Sequence, residues 1–288
     1  MSNPFYDPSK KIHFRTGDEA YEGYLTRVKS ESKKGQKNKK TQSQPITQAS
    51  SVLSNLESYL ILPGRKHDSY EYPDLLVGIN RFSFTPEFEQ VAKFKNINPN
   101  DYYFSAQGYI GNIIWKKALE LNLMLDGFTL NPRQFIDFLT LLKSGKAFYG
   151  DGKPADETVL KQILDGIVEV KNPYRAEWLD ADFKFVNEKL HINYNHILDS
   201  NGKLVPQNSE PLEECIMEDC PIDLNSFNKQ GLPTKKGNSF HYWHPLEDNN
   251  SVAWFGAGSG WAGLDCGGDP DCSDAGRGVR RAQKINSK

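Results

Sequence analysis

The chain lacks long apolar runs, and none approaches the roughly 20 residues a helix needs to cross a bilayer. It lacks an excess of charge of either sign: the formal net charge is -2 and the pI about 6.3. A dedicated nucleic-acid binder carries a basic surplus, so this balance argues against nucleic acid as a partner. The opening MSNPFYDPSKK holds no apolar core of a cleavable signal, and a cytoplasmic or virion-associated location is the expectation. Cysteine is scarce, at 4 in 288 residues. The pairs Cys215/Cys220 and Cys266/Cys272 lack the C-x-x-C spacing of zinc knuckles and redox motifs, so free, partly buried thiols are expected and no metal or other cofactor. Also missing are a Walker lysine, a helix start after the glycine-rich tract, and a Ser/His/Asp order or a cysteine with a positioned histidine. Catalysis is not expected.

What is present is foldable. Hydrophobic residues make up 38% and aromatic ones 12%, enough for one large domain or two modest ones. Residues 27–50, RVKSESKKGQKNKKTQSQPITQAS, are basic and then polar. Such a stretch buries too little surface to offset its ordering entropy, so it reads as a loop or solvated tail, with Lys33, Lys34, Lys37, Lys39 and Lys40 able to touch an anionic surface. The expected division is an N-terminal segment, 1–60, and a domain, 61–288.

Within that domain, VLSNLESYLIL and YPDLLVGINRFSF suit strands or a short helix. Ile114, Ala118, Leu121 and Leu125 then recur at helical spacing. A sharper helix follows, with Asn131 as cap, Pro132 at its first position, Phe135, Ile136, Phe138, Leu139 and Leu142 as its apolar side, and Gly145 as its stop. Val159, Ile163, Leu164 and Ile167 mark another helix near 156–168. Beyond it AEWLDADFKFV and KLHINYNHIL predict a strand pair, DSNGKLV a turn, and NSFHYWHP and SVAWF two short strands around EDNN. Helices first, then short antiparallel strands and long loops, predict an α+β fold.

Three groups invite chemistry. His241 and His244 resemble a metal pair, but on a strand such residues face opposite sides. Glu177, Asp180 and Asp182 could act as general acids; carboxylates among Trp178, Leu179 and Phe183 are more often solvated or paired with arginine. Asp265, Asp269, Asp271 and Asp274 invite calcium, yet lack the D-x-[DN]-x-[DN]-G ladder and its distal glutamate.

The tail holds the strongest signal. Between Gly256 and Gly276 lie seven glycines, four aspartates and two cysteines in 21 residues. Val252, Phe255, Ala257, Leu264, Cys266, Pro270 and Val279 suit a core. Interleaved with them are Gly256, Gly258, Gly260, Gly263, Asp265, Gly267, Gly268, Asp269, Asp271, Cys272, Asp274 and Gly276. These look arbitrary for packing but not as codons. An AAY asparagine codon becomes Asp or Gly when its adenines become guanine, and Cys, Ser or Ala by other changes at adenine, never a stop.

This tract, followed by Gly278-Val279-Arg280, resembles the variable proteins of diversity-generating retroelements, nearest to the archaeal and archaeal-virus members, with EWLDADF, FHYWHP and SVAWF in the same style over residues 175–284. The resemblance implies a C-type lectin-like fold and a variable region over about 252–281. It also implies adenine-directed mutagenesis by a reverse transcriptase. A non-enzymatic protein of this kind would recognise a protein or cell-surface ligand, as phage receptor-binding tip proteins do. The displayed positions would be the interleaved set together with Trp254 and Trp261, Trp261 being the exposed anchor, and Arg280 would sit in an internal ion pair. Two other readings stay open. One is a calcium-dependent carbohydrate-binding lectin using the aspartates. The other is an enzyme similar to the formylglycine-generating group, whose lectin-like domains also end in a G-x-R strand, with Cys266 and Cys272 as its reactive pair.

Overall fold

The computed structural model describes residues 55–285 apart from 84–88, 90–91, 94–95, 99–102, 105–108 and 274–275. The basic stretch at 27–50 lies outside the described residues. The first apolar run becomes β1 (Tyr59–Leu62), all four residues buried, and the second β4 (Leu75–Arg81). They pair antiparallel with Tyr59 opposite Gly78, so the expected boundary at residue 60 falls inside a strand. Hairpins β2 (Arg65–His67)/β3 (Tyr70–Tyr72) and β5 (Tyr103–Phe104)/β6 (Ile110–Gly111) follow. Strands therefore precede the helices, against the expected order. A short run covered on both faces has no period by which to tell strand from helix.

Among the described residues the architecture is mixed and mostly sheet, with three helices: α1 (Trp115–Met124), α2 (Pro132–Ser144) and α3 (Glu157–Val168). The signals at α2 act as expected. The Asn131 side chain accepts from the Gln134 N–H, the Gln134 side chain accepts from the Asn131 N–H, and Gly145 takes the left-handed cap at φ 68°. Every residue from Pro132 to Leu142 is buried, which makes α2 the central helix. Asp156 caps α3 through the Thr158 N–H.

The main sheet is built from β7 (Arg175–Val186), β8 (Lys189–Leu198), β9 (Leu204–Pro211), β10 (Cys220–Ile222), β11 (Phe240–Trp243), β12 (Val252–Ala257) and β13 (Ala262–Gly268). Its order is β10-β11-β13-β12-β7-β8-β9, with β14 (Arg277–Gly278) beside β7. The last strand, β15 (Arg280–Lys284), leaves this sheet and pairs with β4. Three expectations are corrected. β7 and β8 run to 12 and 10 residues rather than being short. The pairings β11 with β13 and β14 with β7 are parallel. The strands flanking EDNN are not neighbours either, because β13 lies between them.

Each face of the sheet has a core. On one, Phe135 and Phe138 of α2 and Leu160 of α3 pack against Phe183, Phe255 and Leu264. Each fully buried ring there contributes about 1.5–3 kcal/mol. On the other, Trp115, Ala118 and Leu119 of α1 cover Trp178, Val252, Trp254 and Val279.

Candidate binding face

Alternation along β7 sends successive side chains to these two cores. Glu177, Asp180 and Asp182 are 4%, 2% and 8% exposed, so of the two expected alternatives, solvent or an arginine partner, the solvated face is wrong. Burial requires each carboxylate to have a partner. Glu177 has arginine: Arg280 Nε donates to Oε2 at 2.9 Å and Nη2 to Oε1 at 2.5 Å, while Nη1 reaches the Gly78 carbonyl at 2.7 Å. The internal ion pair expected of Arg280 is present. Asp180 and Asp182 share His196, whose Nδ1 lies 2.5 Å from Asp180 Oδ1 and Nε2 3.2 Å from Asp182 Oδ1. Burial alone would lower the His196 pKa, but the two carboxylates outweigh it and push it up to about 9. These groups hold the sheet together.

The tail strands divide as their alternation requires. Phe255, Ala257, Leu264 and Cys266 lie in the α2 core. Gly256, Gly263, Asp265 and Gly267 lie on the opposite face, but that face is not bare. A Cβ on Gly263 would stand 2.2 Å from the His241 carbonyl oxygen, on Gly276 2.2 Å from that of Tyr174, and on Gly267 2.9 Å from that of His244. On Gly256 and Gly268 it would strike the Trp254 indole at 2.5 and 2.4 Å. The expectation that these five display arbitrary side chains fails as the strands now lie, since backbone or a packed ring fills the space. Trp254 is likewise buried, at 6% exposure.

Room remains elsewhere. Gly260 has nothing within 4 Å of a Cβ, and Gly258 meets only the edge of the Tyr174 ring at 3.3 Å. Asp269 and Asp271 are exposed; Trp261, Asp265 and Cys272 are partly so. Asp274 lies outside the described residues.

Beside these glycines the face carries a group of aromatic rings. Trp243 leans over Gly263, and its ring meets Trp261 at 4.5 Å and 67°. Trp261 also meets Trp254 at 5.7 Å, and His241 packs on Trp243 at 4.2 Å. Behind them the Arg277 guanidinium lies 4.7 Å from the Trp178 ring and 4.4 Å from that of Trp254, a cation over two neighbouring indoles. Asp265 stands in register with Trp243 on one side and Trp254 on the other. Its carboxylate accepts the Gly267 N–H at 2.9 Å and forms no ion pair among the described residues. Burial, only partly offset by that hydrogen bond and by Arg277, pushes its pKa up to about 6. Trp243 and Arg277 were not among the expected site residues. The period-two placement of His241 and Trp243 was a usable signal for the first, while nothing local marks Arg277.

The rival chemistries fare as follows. Asp265 and Asp269 each spend an oxygen on the N–H two residues ahead. Among the described residues no three His, Cys, Asp or Glu side chains are grouped to hold a metal. His244 pairs with Asp219 at 2.7 Å. All four cysteines are free. Cys266 is 0% exposed in the apolar core and burial raises its thiol pKa, the reverse of an activated nucleophile. Compared with known proteins, the chain matches no family model, no curated protein and no solved structure.

Proposed function

We propose that the chain is a non-enzymatic ligand-binding protein, the variable protein of a diversity-generating retroelement, with a C-type lectin-like domain that recognises a protein or cell-surface ligand. One observation carries this reading. Along β12 and β13 the residues that the codon pattern spares are buried, Phe255, Ala257, Leu264 and Cys266 in the α2 core and Val252 in the α1 core. The codon-like positions fall on the other face or in the turn beyond it. A scaffold that tolerates unpredictable residues needs this separation, because its packing must come from the fixed set. Among the described residues, close contacts and the burial of Trp254 narrow the proposed display set to Gly258, Gly260, Trp261, Asp265, Asp269, Asp271 and Cys272, around an aromatic patch suited to anchoring a partner; Asp274 stays in the proposed set.

Sequencing the 3′ end of the gene and its downstream DNA across a population tests this directly. The expected result is a downstream near-copy with adenines where the gene differs, a neighbouring reverse-transcriptase gene, and variation at Gly260, Asp269 and Asp271 but not at Phe255 or Leu264. An invariant 3′ end without a near-copy would overturn it.

A further inference from the structure

The aromatic patch carries a charge preference. We infer that the Trp243–Trp261 corner with Asp265 is a site for a cationic group, an alkylammonium or guanidinium presented by the ligand; this rests on the proposal that this face binds ligand. Three observations point there. Trp243 and Trp261 are partly exposed and meet edge to face at 67°, which places two indoles at one corner of the face. Indole faces attract cations through the ring quadrupole. Asp265 rises from the same face between Trp243 and Trp254, largely desolvated and held by a single backbone N–H.

The same side of the sheet already holds such a group from its own chain, inside the core: the buried Arg277 guanidinium lies over the Trp178 and Trp254 rings. The charged groups bearing on Asp265 are Arg277, which favours its carboxylate, and Asp219, which opposes it; His241 and His244 lie on the neighbouring β11 side. Burial keeps the Asp265 carboxyl reluctant to ionise. An incoming cation restores to it what desolvation removed, whereas a neutral group does not. Exposed Asp269 and Asp271 follow in the next turn and add to the negative field.

The test uses the full chain, tryptophan fluorescence and three probes at constant ionic strength: choline, its neutral carbon isostere 3,3-dimethylbutanol, and a neutral methyl pyranoside. Choline is expected to saturate the signal at millimolar concentrations, with the isostere about tenfold weaker. Asp265→Asn keeps the shape of the side chain and should bring the two within about twofold, while Trp261→Ala should weaken choline about tenfold. Unfolding midpoints of both variants show whether each is folded. Equal binding of choline and isostere, or a preference that survives in folded D265N, would overturn the inference. Saturation by the pyranoside without choline would overturn it in favour of a sugar platform on the same face. Silence with every probe would overturn the cation site alone, since the binding face for a protein or cell-surface ligand stands or falls with the sequence of the 3′ end.

Discussion

Arg280 and Glu177, 103 residues apart in the chain, form a two-pronged ion pair between the last strand and β7, with both side chains about 5% exposed. The pair ties the small sheet β1-β4-β15 to the large one. Replacing Glu177 by Leu leaves a buried guanidinium unmatched and should cost about 3–5 kcal/mol. The double variant E177L/R280M should recover much of that loss in urea denaturation. If the double variant is as unstable as the single one, Arg280 is held by the Gly78 and Ile79 carbonyls instead.

Glycines in the tail should separate into two classes. Gly263→Ala pushes a methyl into the His241 carbonyl and should cost about 1–3 kcal/mol or more, as overpacking does. Gly260→Ala meets nothing and should stay within about 0.5 kcal/mol. Thermal unfolding of the two proteins decides it; equal effects would remove the distinction between closed and open positions.

The two neighbouring tryptophans should differ likewise. Trp254→Ala empties a buried site roofed by α1 and should cost about 3–5 kcal/mol. Trp261→Ala removes a partly exposed ring and should cost clearly less in the same denaturation series, which makes it the cleaner variant for binding work.

His196 makes stability depend on alkaline pH. Its folded-state pKa is raised from 6.5 to about 9, so the stabilisation is whole below about pH 6.5 and disappears as pH rises through about 9. The unfolding free energy should fall across that window with a slope of at most about 1.4 kcal/mol per pH unit from this group. His196→Gln should flatten the profile between those limits.

Asp265 acts in the opposite pH range. Its pKa is raised from 3.8 to about 6, so the native state holds the proton more tightly and the associated stability is lost as pH rises through about 6. Asp265→Asn should therefore be more stable than the parent at pH 7, by on the order of 1 kcal/mol. A destabilised D265N at neutral pH would mean that the carboxylate has a partner that stabilises its charged form.

Much of this fold was legible from local signals. The Asn131 cap, Pro132 and Gly145 delimit α2 because they act on the backbone within one turn. The alternation of Phe255 and Ala257 with glycine told inside from outside because strand geometry leaves no other choice. Non-local facts were not legible. Nothing near SVAWF shows that β13 inserts between it and FHYWH. The partners that bury Glu177, Asp180 and Asp182 lie 103 or about 15 residues away, so the local surroundings left solvent and an arginine partner equally open. Gly263 and Gly260 look alike as letters, since a codon outcome and a packing requirement both give glycine; only the carbonyl of His241 distinguishes them.

The insertion of β13 between β11 and β12, with β14 landing on β7, has a consequence for how the protein is made. Strand β7 emerges from the ribosome about 75 residues before β12, its first lasting neighbour on that side, and β11 waits for β13. Until the tail is synthesised both present open edges, which are templates for aggregation. A prematurely ended chain would therefore lose the middle of its sheet, not merely a recognition loop. Mutagenesis confined to adenines of AAY codons cannot introduce a stop. Under the retroelement reading proposed above, that restraint would keep the middle strands in every copy, although a side chain at Gly263 or Gly276 would still meet backbone.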